Sequence, residues 1–264
     1  MKYQGKLKEA ESSIRKSILI NPDFAQAYLN LAIILKDLGR PQEAFDSYLK
    51  VIDIDPYFSN IYALINSFIG NTDPSHLNKS SLKTIVNILL ERDDISHSGL
   101  VNAFKLLYRN EIINNLQDFD LDSSKNKSIL KNRLLNNGLK KIIFRDKELD
   151  KSLTKVRKNI CNCIAKDINN INESDLQFII ALGEQCFLNE YIYFFSEEEN
   201  ININKIIKRC KDGKLSEKYI VILSCYYPLY KLLDKIPSLK SFTSSNQILK
   251  ELITLQITEP LTEI

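Results

Sequence analysis

The chain has 264 residues, of which 44% are apolar and 26% are charged, and its formal net charge is +3. This balance supports a buried core and excludes a chain that is disordered throughout. The first residues lack the apolar core of a secretory signal, and no apolar run reaches the roughly 18 residues of a membrane span. We therefore expect a cytoplasmic chain that does not contact a membrane.

Glycine and cysteine placement argues against a cofactor or metal site. The seven glycines stand far apart, which excludes a Walker-type phosphate loop and a G-x-G-x-x-G turn. Cys161 and Cys163 are two positions apart on a predicted helix, so they do not face each other, and neither histidine is near them in sequence. The sequence predicts no metal, no cofactor and no catalytic residue in this chain.

The opening quarter of the chain repeats itself. Three pairs of residues with the same identity are each separated by 34 residues. The pairs are Gly5 with Gly39, Ala10 with Ala44, and Pro22 with Pro56. Self-similarity at a fixed period indicates stacked supersecondary units, and a period of 34 indicates pairs of helices.

One complete unit covers residues 25–56. Apolar side chains in its first half recur at helical spacing, so they share one stripe of a helix. A glycine suited to the left-handed conformation follows, and Pro41 can then begin a second helix without losing a needed N–H. The positions that define the unit are Tyr28, Leu31, Ala32, Gly39, Ala44, Tyr48 and Pro56.

These residues resemble the tetratricopeptide repeat family. The resemblance implies an all-α fold in which helical hairpins stack as an α-solenoid and hold a protein or peptide. We expect the repeats to occupy residues 1–70, with a partial first unit, the full unit at 25–56 and a divergent third unit that begins near Asn60. The partial unit means either that Leu7, Ile14 and Ile18 expose an apolar stripe or that upstream repeats are missing, and we favour missing repeats.

The first helix of the full unit carries a candidate binding groove. Its polar side lies opposite the core stripe at 100° per residue, and the resemblance implies that this side lines the concave face of the stack. The slot of Asn30 often hydrogen-bonds the main chain of an extended peptide in this family, although Leu64 takes that slot one repeat later. The alternative is an ordinary solvated face. The candidate groove residues are Gln26, Leu29, Asn30, Ile33, Lys36 and Asp37.

Residues 71–264 keep helical spacing and predict an irregular helical bundle continuing from the repeats. Asp146 and Ser216 are suited to cap helices, and Ser196 with Glu199 forms a capping-box pattern. Residues 119–127 collect Asp, Ser, Lys and Asn, so we interpret them as a possible internal linker. Acidic residues such as Glu184 are interpreted as helix-end charges rather than as catalytic acids.

A basic segment runs from Lys125 to Asn159. It holds twelve Lys or Arg residues and three acids, a local charge of +9. Such a bias could attract nucleic acid, but lysines at helical spacing usually mark a solvated face, and the segment holds a single aromatic residue, Phe144, rather than a series that could stack bases. We therefore do not expect nucleic acid as the partner. The candidate basic patch is Lys140, Lys141, Arg145, Lys155, Arg157 and Lys158.

The chain from about residue 90 onward carries a second resemblance. Residues 142–146, 178–191 and 223–232 are similar to the helical region of bacterial proteins that join tetratricopeptide repeats to an S-adenosylmethionine-dependent methyltransferase domain. The acidic-Gly-x-Gly turn that grips the cofactor in that family has no counterpart here. The resemblance implies a non-catalytic accessory region beside such an enzyme.

The sequence therefore predicts a non-catalytic scaffold that binds a protein or peptide. Two alternatives stay open. In the first, the chain is part of an active methyltransferase whose catalytic domain lies beyond residue 264. In the second, it is a helical nucleic-acid-binding protein that uses the basic segment at 125–159.

Overall fold

The computed structural model describes residues 2–116 and 130–262. These residues form helices and contain no β-strand, which confirms the all-α prediction. The chain divides into two compact units, Met1–Leu107 and Tyr108–Ile264. The first unit thus extends beyond residue 70, where the repeat pattern was predicted to end. The predicted linker at 119–127 lies outside the described residues.

The first unit consists of consecutive helices joined by short turns. Two single 3-10 turns, Pro74–His76 and His97–Leu100, precede the fifth and sixth helices. The helices are α1 (Lys2–Ile20), α2 (Ala25–Asp37), α3 (Pro41–Ile54), α4 (Ile61–Gly70), α5 (Lys79–Leu90) and α6 (Val101–Leu116), the last of which contains the boundary between the units.

The turn between α2 and α3 is built by Gly39. Its φ is +73°, in the left-handed region that glycine adopts without a Cβ clash. The Gly39 N–H donates to Lys36 O and the Arg40 N–H donates to Leu35 O, which together satisfy the end of α2 in a Schellman motif. Pro41 then occupies the first turn of α3. The left-handed glycine, the Schellman hydrogen bonds and Pro41 together produce the helical hairpin.

The helices of this hairpin cross closely because the crossing positions carry small side chains. Ala32 on α2 and Ala44 on α3 are both 0% exposed. Leu31 and Tyr48 are buried beside them, whereas Tyr28 is half-buried. Burial of such apolar side chains supplies roughly 1.5–3 kcal/mol each, which makes this hairpin the core of the first unit.

The apolar stripe of α1 is only partly covered. Leu7, Ile14 and Ile18 are half-buried, and α1 packs on α2. Leu19 and Ile20, at the end of α1, are 81% and 86% exposed. This helix therefore presents apolar side chains to solvent at its C-terminal end.

Helix α4 packs against the His97–Leu100 turn through two glycines. A Cβ built on Gly70 would lie 2.9 Å from the Cα of Gly99, so any side chain there would force the backbones apart. Beside this contact, the Asn66 amide donates to Ser96 O at 2.6 Å. The close approach places the chain around residues 92–95 near the start of α4.

The second unit is an irregular bundle. Its helices are α7 (Arg133–Lys141), α8 (Lys147–Lys166), α9 (Glu173–Leu188), α10 (Glu197–Lys211), α11 (Glu217–Ser224) and α12 (Gln247–Ile253). Short 3-10 turns lie at Ile168–Asn170, Leu229–Leu232 and Pro237–Ser241. Helix α12 continues through a π-helical stretch, Thr254–Thr258, into a last turn at Glu259–Thr262.

Helix α9 is the centre of this bundle and packs on α7, α11 and α12. Its contact with α11 is very close, because a Cβ built on Gly183 would meet the Ser224 Oγ at 2.2 Å. Residues Tyr219 to Leu223 of α11 form an apolar run, and all of them are buried. A helix that is apolar all round is typical of a central position.

The predicted helix caps of this unit are confirmed. Asp146 accepts from the Leu149 N–H at the start of α8, and Ser216 accepts from the Tyr219 N–H at the start of α11. Ser196 and Glu199 make both hydrogen bonds of a capping box at the start of α10. These local signals fix where each helix begins.

Candidate peptide-binding face

The candidate groove on α2 is an open helix face. Gln26, Asn30, Lys36 and Asp37 are exposed, and Ile33 is 41% exposed. This face lies opposite the buried stripe and carries charge only at its C-terminal end. It can therefore contact a ligand through amide groups and one apolar side chain.

Leu29 departs from the predicted groove. Its side chain is 8% exposed, so it contributes to packing rather than to the open face. At a rotation of 100° per residue, Leu29 lies at the edge of the polar side of α2. A side chain at such an edge is covered when a neighbouring helix packs alongside.

Two amides on this face are already ordered. The Gln26 Nε2 donates to the Asn30 Oδ1 at 3.0 Å, one helical turn away. The Asn30 amide nitrogen has no acceptor among the residues that the structure describes. A side-chain amide carries two N–H donors, so the Asn30 nitrogen has hydrogen-bonding capacity beyond the bond from Gln26.

The matching face of α4 lies one repeat later. By the 34-residue period, Asn60, Ala63, Leu64 and Ser67 occupy the slots of Gln26, Leu29, Asn30 and Ile33. All four are exposed, and Leu64 is 37% exposed. Helix α4 thus offers smaller and more apolar side chains at these positions than α2 does.

A cavity of about 440 Å³ opens beside the start of α4, and we call it the α4 cavity. The turn between α3 and α4 forms one wall, and the segment after α5 forms the other. It is lined by Pro56, Tyr57, Phe58, Ser59, Asn60, Tyr62, Ala63, Arg92, Asp94 and Ile95.

Arg92 is the fixed element of the α4 cavity. Its guanidinium carbon lies 4.0 Å from the ring centroid of Tyr62, a cation–π arrangement. Its Nε and Nη2 donate to the two carboxylate oxygens of Asp94 at 2.7 and 2.6 Å. These hydrogen bonds lower the pKa of Asp94, because they favour its ionised form. The Arg92 and Asp94 charges therefore offset each other in this wall.

An ion-pair cluster joins α1 to the start of α3. Arg40, which begins the second half of the repeat, donates to Glu11 at 2.8 Å and to Glu43 at 2.6 Å. Arg15 also reaches Glu11 at 2.8 Å. The Arg40 guanidinium holds the pKa of the Glu43 carboxyl below its usual range. Half-exposed pairs of this kind contribute little each, so we assign the cluster a role in orienting helices rather than in binding.

The predicted basic patch is not one exposed surface. Arg157 is 1% exposed, so its inclusion in a solvent-facing patch is wrong. Lys140 lies 3.4 Å from Glu184, and Lys158 lies 2.8 Å from Glu198. Three of the six predicted cations, Arg157, Lys140 and Lys158, are therefore buried or close to acids, which weakens the case for a polyanionic ligand.

The other three cations of the patch remain closer to the surface. Arg145 and Lys155 are exposed, and Lys141 is half-buried at the end of α7. Lysines near a helix C-terminus favour the negative end of its dipole, which gives Lys140 and Lys141 a structural role.

Arg157 instead organises the interior of the second unit. Its Nη2 donates to the Phe194 carbonyl at 2.8 Å and lies 3.4 Å from the Glu199 Oε1. The Tyr226 hydroxyl donates to the same Glu199 oxygen at 2.6 Å, and the Arg157 guanidinium lies 4.3 Å from the Tyr226 ring centroid. This network joins α8, α10 and the segment around Tyr226.

Glu184 is the second buried charge that the sequence interpretation missed. It lies within α9 and is 6% exposed, so it is not the surface helix-end charge that we expected. Burial raises the pKa of Glu184 to about 7, and the ammonium of Lys140 offsets part of that increase. Lys140 also lies 3.8 Å from Glu251, which connects α7, α9 and α12.

Comparison with known proteins agrees with the hairpin geometry. Residues 25–58 match the sequence model of the tetratricopeptide repeat. The match covers α2, α3 and the turn that leads to α4, so the candidate face belongs to this repeat. It does not reach the region from about 90 onward, where the methyltransferase-type resemblance stays a prediction.

Two curated relatives share a stretch of this chain. Protein O-mannosyl-transferase TMTC3 of Homo sapiens and its counterpart in Mus musculus are each 35% identical over 52 residues. That stretch is 20% of this chain and 6% of each relative. No solved structure matches the chain significantly. Similarity over so short a stretch carries no information about the activity of the whole chain.

The remaining predictions concern membranes and metals. Within the described residues, none of the helices combines the length and the apolar character that crossing a bilayer would require. Across residues 2–116 and 130–262, His, Cys, Asp and Glu side chains do not gather in threes that could hold a metal ion. Four of the five cysteines, Cys161, Cys186, Cys210 and Cys225, are buried.

Proposed function

We propose that this chain is a scaffold that binds an extended peptide segment of another protein along the exposed faces of α2 and α4. The observation that carries the proposal is the ordered amide pair on α2, in which the exposed Asn30 accepts from Gln26 through its oxygen while its amide nitrogen has no acceptor among the described residues. An extended peptide has unpaired carbonyls along its length, and Asn30 can donate to one of them.

The chemistry of the face indicates the kind of segment that it binds. Ile33 and Leu64 supply apolar contacts, and the charged residues Lys36 and Asp37 lie at one end only. We therefore expect a mainly uncharged peptide whose binding depends weakly on salt concentration, since screening acts on charge pairs.

Replacing Asn30 with Ala should weaken peptide binding roughly fivefold, because one hydrogen bond contributes about 1 kcal/mol. Peptides are selected by display on the full chain, and fluorescence polarisation measures their affinities for the variants. Asn200→Ala is the matched control, because Asn200 on α10 is also exposed and also accepts from an amide four residues away, that of Asn204. Equal binding by wild type and the Asn30→Ala and Ile33→Asp variants would rule out this face.

We further propose that the region from about 90 onward is an accessory region beside an S-adenosylmethionine-dependent methyltransferase domain in a longer polypeptide. The second sequence resemblance supports this proposal, and the chain lacks the acidic-Gly-x-Gly turn of that enzyme family. The described residues contribute no catalytic step in this view, and the chain by itself is not an enzyme.

Calorimetric titration of the chain with S-adenosylmethionine tests the accessory role. No heat of binding is expected, because the chain lacks the acidic-Gly-x-Gly turn that would hold the cofactor. Binding at micromolar concentration would show that a cofactor site lies within these residues and would contradict the non-catalytic role.

A further inference from the structure

The α4 cavity occupies a position that the repeat itself defines. Asn60 and Ala63, which line it, are the 34-residue counterparts of Gln26 and Leu29 on α2. The cavity therefore opens at one slot of the candidate groove, that of Gln26, and at one slot that is packed in the first repeat, that of Leu29. Leu64, the counterpart of Asn30, follows Ala63 directly in the chain.

The cavity exists because of a size difference between the two repeats. The first repeat places Leu29 in this slot, and that side chain is 8% exposed. The second repeat places the much smaller Ala63 there, and Ala63 is exposed. The space that a leucine fills in one repeat is thus left to a ligand in the next.

The walls combine polar and apolar surface, which suits an aromatic side chain that carries a polar group. Phe58, Tyr62 and Ile95 supply apolar surface, and the Arg92 guanidinium lies over the Tyr62 ring while it donates to the Asp94 carboxylate. A guanidinium plane held in this way stacks well against aromatic faces. The Asn60 amide and the Asp94 carboxylate add acceptors for an indole N–H or a phenol O–H.

Charge argues against an ionic ligand. Both carboxylate oxygens of Asp94 accept from Arg92, so the two charges cancel at the wall. An acidic ligand would meet Asp94 at close range, and a basic ligand would meet Arg92. A neutral side chain avoids either repulsion and the loss of the existing pair.

We propose that the α4 cavity binds one bulky aromatic side chain, tryptophan or tyrosine, of the peptide segment that lies along α2 and α4. This inference rests on the proposed peptide-binding function and specifies its ligand. The aromatic residue acts as an anchor in a pocket, and the α2 amides hold the main chain that leads to it.

N-acetyl-L-tryptophanamide is the probe for the cavity. The chain contains no tryptophan, so fluorescence excited at the red edge of the tryptophan band reports the probe alone. We expect its anisotropy to rise on titration with the full chain, with a dissociation constant of roughly 0.1–1 mM for a ligand of this size. No rise in anisotropy at millimolar chain concentration would overturn the inference.

Two substitutions at one position separate filling of the cavity from damage to the fold. Ala63→Leu restores the residue type of the first repeat, so it should fill the cavity and weaken probe binding by about tenfold or more. Ala63→Ser keeps the space, and binding should stay within about twofold of wild type. Circular dichroism melting curves confirm that both variants fold. Unchanged binding by a folded Ala63→Leu variant would show that the probe binds elsewhere.

Competition establishes the chemical class of the ligand. N-acetyl-L-tyrosinamide should displace the probe, whereas N-acetyl-L-leucinamide and the α-amide of N-acetyl-L-aspartic acid should displace it at least about tenfold less effectively. Equal competition by the leucine compound would remove the aromatic preference. Stronger competition by the acidic compound would show an anion site instead.

Peptides selected by display distinguish this inference from the proposed function. If the selected peptides need Asn30, carry an aromatic residue and bind the Ala63→Leu variant more weakly than wild type, the peptide-binding function and the aromatic pocket are both supported. If the peptides need Asn30 but bind the Ala63→Leu variant as tightly as wild type, the peptide-binding function is supported and the α4 cavity does not bind an aromatic anchor. If no peptide binds while the tryptophan probe does, the cavity is a small-molecule site and the peptide-binding function is wrong.

Discussion

Replacing Arg157 with Met is expected to lower the free energy of unfolding of the second unit by about 3–5 kcal/mol. The guanidinium is 1% exposed and the Glu199 carboxylate beside it is 2% exposed. Removing only the cation leaves a buried anion without its partner, and that costs more than the ion pair itself contributes. The Phe194 carbonyl also loses its donor.

Urea unfolding followed by circular dichroism measures this loss. The control is Arg145→Met, because Arg145 belongs to the same basic segment but is exposed. Its substitution should change the free energy of unfolding by less than about 0.5 kcal/mol. If the two variants are equally stable, Arg157 is not the organising residue that its contacts indicate.

The double variant Arg157→Met with Glu199→Met gives an independent test. Removing both charges eliminates the uncompensated anion, so part of the stability lost in the single variant should return. The return is incomplete, because Glu199 also accepts from the Ser196 and Tyr226 side chains and caps α10. Strict additivity of the two substitutions would contradict a direct interaction between them.

Local signals predicted the helical hairpin well. Gly39, Pro41, Ala32 and Ala44 each act within a few residues of their own position, through backbone conformation or through the size of a crossing residue. The capping box of α10 is local in the same sense. Such features depend on spacing along the chain, which a single sequence displays directly.

The features that sequence interpretation missed depend on distant residues. Arg157 was counted as a surface cation, although it is four residues after Leu153 and three before Ile160, both on the buried stripe of α8. That spacing places it about 40° from Leu153, and it could have indicated burial. Its partner Glu199 is 42 residues away, so nothing local identified the pair.

The α4 cavity also depends on residues that are distant in sequence, so the sequence alone predicts only part of it. Repeat arithmetic gives the counterpart of Leu29 as Ala63, and the smaller side chain is visible in the sequence. The opposite wall comes from Arg92 and Asp94, which lie in an irregular segment outside the repeat pattern. Their approach to α4 depends on the glycine contact between Gly70 and Gly99, which only the structure shows.

Glu184→Gln is expected to remove a pH dependence of stability between about pH 4.5 and pH 7. Burial raises the pKa of Glu184 to about 7 in the folded chain, whereas the ordinary value is 4.5. In this range the unfolded chain has released the proton and the folded chain still holds it. Stability from this group is therefore greatest below pH 4.5 and is lost as the pH rises toward 7.

The size of the effect follows from the shift in pKa. A change from 4.5 to about 7 corresponds to about 3 kcal/mol, since each pKa unit is 1.36 kcal/mol. Other carboxyl groups titrate over the same range, so the measured quantity is the difference between wild type and Glu184→Gln. That difference in free energy of unfolding should fall by about 3 kcal/mol between pH 4 and pH 8.

Glu251→Gln is the control, because its carboxylate also contacts Lys140 but is 56% exposed on its side chain. The Glu251 charge is a smaller cause of the raised pKa of Glu184 than burial, so its removal should leave most of the pH-dependent difference in place, whereas Glu184→Gln abolishes it. Urea unfolding at a series of pH values provides both curves. A wild-type curve parallel to that of Glu184→Gln would mean that Glu184 ionises in the folded chain as it does in water, and that Lys140 compensates its burial fully.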